Sequence, residues 1–290
     1  MIHLFERYTK RFETISLDGL NRLAALLDRQ EHKYVLEVEQ LLGLIDELTE
    51  DFYILQIGEH TAFSYKSMYF DSDELHGYRY HNQGRLKGRF KIRTRQYVES
   101  NLCFFEVKLK DKRGGTLKKR IPYDAGNYRT ITAQAQQFIE DNYAKAYGRP
   151  LTLELSSQLE VSFKRITLIA KQGGERVTID FNLSFAAKEQ TTPVRQFLVV
   201  ETKSSNGRGI AYAIFRRHGL KSRSCSKYCL GANLLQLGVK YNRFKPLLKL
   251  YDNLPLYDLE ETPDGSDVTR PATTAEENQM MQLAPEAVPA

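Results

Sequence analysis

The chain has 290 residues, of which 41% are hydrophobic and 11% aromatic, which excludes a wholly disordered protein and allows a full core. Residues 1–253 carry 41 basic and 28 acidic side chains, a net charge of +13, whereas residues 254–290 carry one base and eight acids, a net charge of −7. A body this basic predicts an anionic partner such as phosphate, nucleic acid or an acidic membrane surface.

The three cysteines are too few for a disulfide framework, and the spacing of Cys225 and Cys229 is not that of a zinc site. The chain starts without the apolar run of a signal peptide, and no apolar stretch is long enough to span a bilayer. These features predict a soluble, cytoplasmic protein with reduced thiols.

In chain order, the spacing of apolar residues first predicts a short helix that Ser16 caps. A strand at 31–36, a helix at 37–50 and strands at 51–57 and 63–71 follow. Residues 71–88 resemble a loop, with helix left open around 74–80. The next elements after the central strands are a helix at 127–147, ended by Gly148, and strands at 151–155, 161–170, 176–185 and 195–203. Helices at 211–218 and 229–250, the latter broken at Pro246, complete the body.

The stretch from Arg89 to Tyr97 places positive charges on alternate residues. In an extended chain Arg89, Lys91, Arg93 and Arg95 share one face, and Phe90 and Ile92 lie on the other. A solvated strand face would mix both signs of charge, because like charges two residues apart repel. The uniform sign predicts a multivalent anion opposite this face, for which phosphate is the usual partner of arginine.

A second basic element follows directly. Residues 101–110 alternate again, with Glu106 and Lys108 on one face and Val107 on the other. After a turn at 111–115 the chain returns through 116–121, which carries Lys118, Lys119 and Arg120. This pair of strands predicts a basic hairpin.

Farther along, Glu201 interrupts an otherwise apolar strand. A carboxylate in so buried a segment needs a cation or a hydrogen-bond donor beside it. From about residue 254, five of the nine prolines and eight acids against one base predict a disordered tail.

Many strands joined in sequence, several of them with one charged face, predict an α+β protein built on an antiparallel β-barrel with a polar lumen and peripheral helices. The body would span residues 1–253, and the acidic, proline-containing tail residues 254–290. The barrel would form a tunnel lined with cations, in which low dielectric strengthens each contact with phosphate.

Several short motifs follow one another in a distinctive order: Lys33-Tyr34, Tyr69-Phe70-Asp71, residues 91–97, Glu106-Val107-Lys108, Arg165, residues 176–180, Glu201-Thr202-Lys203 and Ser226-Lys227-Tyr228. This order resembles the polyphosphate polymerase (VTC) domain, a member of the triphosphate tunnel metalloenzymes related to the CYTH proteins. The resemblance spans about residues 17–250. It departs before Lys227, where the family tends to have a second basic residue and this chain has Ser224 and Cys225.

The resemblance implies a tunnel that binds ATP and transfers its γ-phosphoryl group onto a growing polyphosphate chain with Mn²⁺ or Mg²⁺. Carried over by position, the catalytic cations would be Lys33, Arg93, Arg95 and Lys108. Arg165, Lys119 and Lys227 would bind substrate, joined by Arg89 and Lys91 from the basic strand, and Glu201 would ligate the metal. Phosphoryl transfer needs alignment and charge neutralisation rather than a covalent nucleophile, which agrees with the lack of a Ser-His-Asp or Cys-His set.

Other interpretations stay open. Arg93 and Arg95 could lie on a solvated face and pair with Glu106 and Asp180, and Glu201 could simply pair with Lys203 or an adjacent arginine. Within a tunnel, Asp180 would orient an arginine of the lumen rather than bind metal. On the same fold, the chain could instead be a metal-dependent triphosphatase or another CYTH-like enzyme; a triphosphatase would use an alternating Glu-x-Glu-x-Lys strand, which residues 30–33 do not supply. A non-catalytic binder of polyanions or nucleic acid would place its basic residues on an outer surface. The polymerase interpretation expects ATP and polyphosphate as partners, no nucleic acid and no transmembrane segment, with a membrane-protein partner left open.

Overall fold

The structure is a computed structural model that describes residues 2–24, 30–111 and 114–256. Its helices are α1 (Ile2–Thr9), α2 (Leu17–Leu23), α3 (Val38–Leu42), α4 (Ile45–Asp51), α5 (His76–Asn82), α6 (Ala133–Tyr147), α7 (Ile210–Arg217), α8 (Lys227–Leu234) and α9 (Lys245–Asn253). Its strands are β1 (Thr14–Ile15), β2 (Gln30–Glu37), β3 (Phe52–Leu55), β4 (Ala62–Asp71), β5 (Phe90–Tyr97), β6 (Leu102–Lys110), β7 (Thr116–Tyr123), β8 (Ser156–Ala170), β9 (Arg176–Ala187), β10 (Gln190–Thr191) and β11 (Phe197–Ser204). None of these helices combines the length and apolar character needed to cross a membrane.

The strands form one large sheet whose main path is β2-β11-β9-β8-β4-β5-β6-β7, with antiparallel pairing throughout. The strand β3 pairs with β8 and, in parallel, with β1, and β10 extends β9. The α+β class and the antiparallel sheet are as predicted. The predicted closed barrel is not observed, because β2 and β7 end the path without pairing to each other in the described part of the chain.

The sheet nevertheless curls so that its distant strands approach one another. Lys33 on β2 acts electrostatically on Lys108 of β6, although five strands separate β2 from β6 along the path. An irregular segment spans part of the gap: the Arg223 amide donates to the Lys33 carbonyl at 2.7 Å, and Lys91 Nζ donates to Ser226 Oγ at 2.8 Å. Long strands coil because each residue adds right-handed twist. The open side is therefore lined by a loop instead of a strand.

Helices cover the outer face of the sheet in two places. The helix α6 buries Ile139 against Ile92 and Val107, whereas α4 and α7 belong to a second cluster that contains Tyr34 and Phe215. The opposite face, called here the inner face, carries Arg93, Arg165, Glu201 and the side chains that alternate with them. Period-two alternation thus puts apolar residues under the helices and charges on the inner face.

Several helix and strand boundaries differ from the sequence predictions. The helix predicted from 127 begins at Ala133, because the Thr132 side chain caps it by accepting from the Ala135 amide at 3.3 Å. The strand predicted at 151–155 is wrong, since β8 starts at Ser156. Pro246 lies in the first turn of α9, where a missing amide hydrogen costs nothing.

For the segment around 74–80 the sequence allowed either loop or helix, and the structure shows the helix α5 there. A buried carboxylate stabilises its first turn. Asp71 accepts hydrogen bonds from the amides of Gly77 at 2.8 Å and Tyr78 at 3.0 Å. The predicted acidic tail falls outside the described residues from position 257 onward. Before that point, Arg195 Nη1 donates to the Leu254 carbonyl at 2.6 Å.

Candidate active site on the inner face

The basic strand is β5, and its alternation is as the sequence indicated. Phe90 and Ile92 are buried in the outer cluster against α6. Lys91, Arg93 and Arg95 therefore point to the inner face. Exposure falls along this row, from the partly exposed Lys91 and Arg93 to Arg95, of which only 9% is exposed.

Glu106 on β6 is the carboxylate that positions Arg93. In register it lies directly opposite Arg93, whose Nε and Nη2 donate to Glu106 Oε2 at 2.8 and 2.6 Å. Its other oxygen lies 2.8 Å from Lys118 Nζ. Burial by itself would raise the pKa of Glu106, but Arg93, Lys118 and Arg95 outweigh burial and hold that pKa well below the ordinary value. Glu106 is therefore ionised and orients two cations.

Asp180 does the same on the other half of the sheet. It is opposite Arg165 in register and accepts from Arg165 Nε at 2.6 Å and from Nη2 at 2.8 Å. Lys227, at the start of α8, also donates to Asp180. Burial opposes the charge, yet the two cations lower the pKa of Asp180. A bidentate pair of this kind fixes the plane of the guanidinium group.

A third carboxylate, Glu201, joins β11 to β2. Lys33 Nζ lies 3.1 Å from Glu201 Oε2, and Lys203 contacts the other oxygen. Lys33 also contacts Glu31. Burial raises and the surrounding lysines lower the pKa of Glu201, with the net effect well below its ordinary value. The pairing of Glu201 with Lys203 that the sequence left open is therefore present, and Lys33 is added to it.

Arg95 and Lys108 have no carboxylate partner within the described ranges, and Lys91 is bound by the Ser226 hydroxyl and not by a carboxylate. Arg95 donates from Nε to Ser67 Oγ at 3.3 Å and lies over the rings of Tyr65 and Phe163 at 5.5 and 5.9 Å. Lys108 reaches solvent with its side chain. Partial loss of water around its ammonium group, together with the charges of Lys33 and Lys91, lowers the pKa of Lys108 to about 7. Cations left in this state favour an external anion.

Aromatic side chains back the cations and close part of the inner face. Tyr65 and Phe163 stack in parallel with centroids 5.3 Å apart, and both lie in a buried cluster with Tyr97 and Phe104. The inner surface is thus divided between a charged region and an apolar one. The arginines therefore lie on the inner face and not on the exterior. Apolar side chains occupy part of the interior, so the charged region does not extend through all of it.

The sequence-predicted cations do not all share this region. Electrostatic interactions link most of them to Glu201: Lys108 feels the charges of Lys33, Lys91, Arg93 and Glu201, and Glu201 feels that of Arg165. Arg95 acts on Glu106 beside Arg93, and Lys227 binds Asp180 beside Arg165. Arg89 is half-buried just before β5, and burial followed by repulsion from Arg243 lowers its pKa.

The prediction that Lys119 binds substrate on the inner face is wrong, because Lys119 pairs in register with Val107 and shares its outer face. Lys118, opposite Lys108, occupies the inner position that the sequence assigned to its neighbour. Alternation was already visible in this hairpin, but its register was not.

Sequence reasoning gave no binding role to a linked set of tyrosines. Tyr69 OH accepts from Arg93 Nη1 at 2.9 Å, and its ring stacks on Tyr228 with centroids 5.0 Å apart. Tyr228 OH donates to Asp71 at 2.6 Å. Burial raises the pKa of Asp71, and burial together with Asp71 raises that of Tyr228 well above its usual value. This set connects Arg93 to the helices α5 and α8.

A divalent ion would find few protein ligands here. No group of three or more His, Cys, Asp or Glu side chains converges in the described part of the chain. Glu201 and Glu31 are the carboxylates that share Lys33. This donor set fits Mg²⁺ or Mn²⁺ bound mainly by phosphate oxygens and water, with one or two carboxylates, which is the usual coordination of Mg²⁺ in phosphoryl-transfer sites.

The curled antiparallel sheet therefore carries, on its inner face, side chains suited to bind phosphate. Comparison with known proteins assigns the family of the chain. The VTC domain model matches residues 28–236. The chain belongs to the VTC domain family. No curated protein matches it.

Among solved structures, the chain is similar to a putative adenylyl cyclase from Hippeastrum described as having a dominant triphosphatase activity, with 13% identity, a TM-score of 0.47 and coverage of 71% of this chain and 96% of that one. It is also similar to a putative adenylate cyclase from Bacillus halodurans, with 14% identity, a TM-score of 0.40 and coverage of 69% and 96%. A putative adenylate cyclase from Vibrio parahaemolyticus shows 11% identity, a TM-score of 0.40 and coverage of 71% and 98%.

Proposed function

We propose that this protein is an ATP-dependent polyphosphate polymerase that transfers the γ-phosphoryl group of ATP onto a polyphosphate chain at the inner face. The observation that carries the proposal is that Arg95 and Lys108 have no carboxylate partner among the described residues, although they lie beside cations that internal carboxylates already orient. Such a site leaves positive charge to be neutralised by the substrate. The VTC family assignment supports a phosphoryl-transfer reaction over simple anion storage.

The ion pairs of Glu106 and Asp180 orient two further cations toward the phosphate groups of the substrate. Glu106 and Asp180 hold Arg93 and Arg165 in place before substrate arrives, so little reorganisation is needed when charge develops on the transferring phosphoryl group. Arg95, Lys108 and Lys33 supply the remaining donors. Aromatic rings below Arg95 and Arg165 exclude water and strengthen these contacts.

A divalent ion, Mn²⁺ or Mg²⁺, would be held by Glu201 together with substrate oxygens. When bound, it would neutralise charge on the phosphate groups and help to align them. The acceptor is a phosphate oxygen that is already ionised at neutral pH, so no general base is required from the chain.

The test is incubation of the purified protein with ATP and Mn²⁺, with the products separated by length. The proposal expects long phosphate polymer, and its loss in Arg95→Gln and Lys108→Met. These substitutions are preferred to Arg93→Gln because neither leaves a buried carboxylate without its arginine. Free phosphate without polymer would identify a triphosphatase instead, and untouched ATP with retained polyanion binding would identify a non-catalytic binder.

A further inference from the structure

The row of cations on β5 does not stop where the strand begins. Preceding it, the loop that joins α5 to β5 carries Arg85, Lys87 and Arg89, and no Asp or Glu occurs between Glu74 and Glu99. Exposure changes steadily along this line: Arg85 and Lys87 are exposed, Arg89, Lys91 and Arg93 are partly exposed, and Arg95 is buried. Positive charge therefore runs along the sequence from exposed loop residues to a buried residue of β5.

The inner end of this line is closed. Beyond Arg95 the next inner-face residue of β5 is Tyr97, 4% exposed, and it contacts Phe104 edge-on with centroids 6.0 Å apart. Tyr65 packs on its other side at 5.0 Å. A chain of phosphates whose terminus lies at Arg93 and Arg95 cannot continue past these packed rings, whereas the residues toward Arg89 offer its remaining length a cationic path out of the interior.

At the outer end, the structure provides a surface cavity of about 460 Å³ lined by Arg85, Leu86, Lys87 and Arg149. Gly88 makes this arrangement possible, because it has a positive φ of +81° and a side chain at its position would meet Arg149 Nη2 at 3.1 Å. The Arg89 amide donates to the Leu86 carbonyl at 3.2 Å. The turn thus brings Arg149, from the end of α6, beside the loop cations.

The field at this end is strongly positive. Burial and then the charges of Lys91, Arg89 and Arg243 lower the pKa of the neighbouring His81 to about 2. Burial and the charge of Arg89 also lower the pKa of Lys110, although the carboxylate of Asp111 opposes this shift. No acidic side chain of the loop offsets these cations.

We propose that Arg85, Lys87 and Arg149 form an outer binding site for the distal part of a long inorganic polyphosphate chain whose terminus occupies the inner face. This inference rests on the proposed function and adds chain-length preference to it. An unbranched polyanion suits the site better than nucleic acid, because the Tyr80 ring beside the loop is covered by the Arg85 guanidinium group at 4.7 Å and is not presented for base stacking.

The experiment measures binding of tripolyphosphate and of a long-chain polyphosphate to the full chain, without turnover, at two salt concentrations. The test variant is Arg85→Gln/Lys87→Gln. The matched control is Arg208→Gln/Arg216→Gln, which removes the same charge from exposed arginines lining another surface cavity of about 460 Å³ beside α7.

For the wild-type protein we expect the long chain to bind more tightly than tripolyphosphate, with the difference reduced by salt. The test variant is expected to weaken long-chain binding about tenfold, since exposed cation–phosphate contacts are individually weak but add up. It should leave tripolyphosphate binding unchanged, and the control should bind both ligands as the wild-type protein does.

The proposal is overturned if the control loses as much long-chain affinity as the test variant, if the test variant binds the long chain normally, or if it loses tripolyphosphate equally. Competition by a single-stranded oligonucleotide as strong as that by polyphosphate of equal charge would instead assign the surface to nucleic acid. Failure of the polymerase proposal is a separate result, namely no polymer from ATP while chain-length-dependent binding persists.

Discussion

Lys91 and Lys108 lie directly opposite each other across the ladder between β5 and β6, on the inner face. Lys118 is in turn opposite Lys108 across the next ladder. Like charges in directly opposed positions destabilise a sheet. Lys91 is bound to Ser226 and Lys118 to Glu106. Lys108 is therefore the member of this row without a hydrogen-bond or ion-pair partner among the described residues.

The first prediction concerns stability without ligand. Replacing Lys108 with Met removes the central charge of this row, and we expect the free energy of unfolding to rise by about 0.5–1 kcal/mol. Urea unfolding in phosphate-free buffer measures this. Lys66→Met on β4 is the control, because Lys66 is exposed and alternation places it on the face opposite the cations. A loss of stability in Lys108→Met would contradict the proposed repulsion.

The second prediction is a pH dependence of phosphate binding. The pKa of free Lys108 is about 7, and a bound anion favours the charged ammonium and so raises that pKa. Binding then takes up a proton, and affinity must fall as the pH increases above about 7. Titration of tripolyphosphate affinity from pH 6 to 9, expressed as the ratio of wild type to Lys108→Met, cancels the ionisation of the ligand. A ratio independent of pH would show that Lys108 does not contact the anion.

The third prediction separates positioning from binding. Arg93→Met leaves the buried Glu106 with Lys118 alone, and we expect a loss of about 3 kcal/mol in stability, near the lower limit for breaking a buried pair. The double variant Arg93→Met/Glu106→Gln, which also removes the charge of Glu106, should recover much of this loss. Arg95→Gln leaves no buried carboxylate without its cation, so this variant should unfold close to the wild-type midpoint and still lose activity. Equal destabilisation of Arg93→Met and Arg95→Gln would be incompatible with these roles.

The fourth prediction concerns the metal. Glu201→Gln removes the carboxylate charge that is held between Lys33 and Lys203, and we expect Mn²⁺ to bind the protein–tripolyphosphate complex at least tenfold more weakly. Electron paramagnetic resonance of Mn²⁺ reports this binding without turnover. Glu160→Gln is a suitable control, because Glu160 pairs instead with Arg129 at 2.7 Å. Unchanged Mn²⁺ binding in Glu201→Gln would leave that residue as a partner of lysines only.

The sequence predicts a feature of the site when the residues that determine this feature are close together in the chain. The two faces of β5 follow from alternation within eight residues, and Phe90 and Arg93 lie where that alternation puts them. The same reasoning failed at Lys119, where a shift of one position in a hairpin moves a side chain to the other face. The sequence offers Glu106 as a surface partner of arginine, and Asp180 either as such a partner or as a carboxylate that orients an arginine of the lumen. The pairs exist, but burial turns them into the supports of the site.

The sequence by itself determined the basic body, the alternating strands, the antiparallel α+β class and the residues that could bind phosphate, because these depend on composition and on a period of two. Only the tertiary structure decided that β2 and β7 do not pair with each other in the described part of the chain, that Lys118 and not Lys119 lies on the inner face, and that aromatic rings close the inner end behind Arg95. Register, edge pairing and closure depend on contacts between residues far apart in the chain, and a local pattern carries no information about which distant strand a given face will meet.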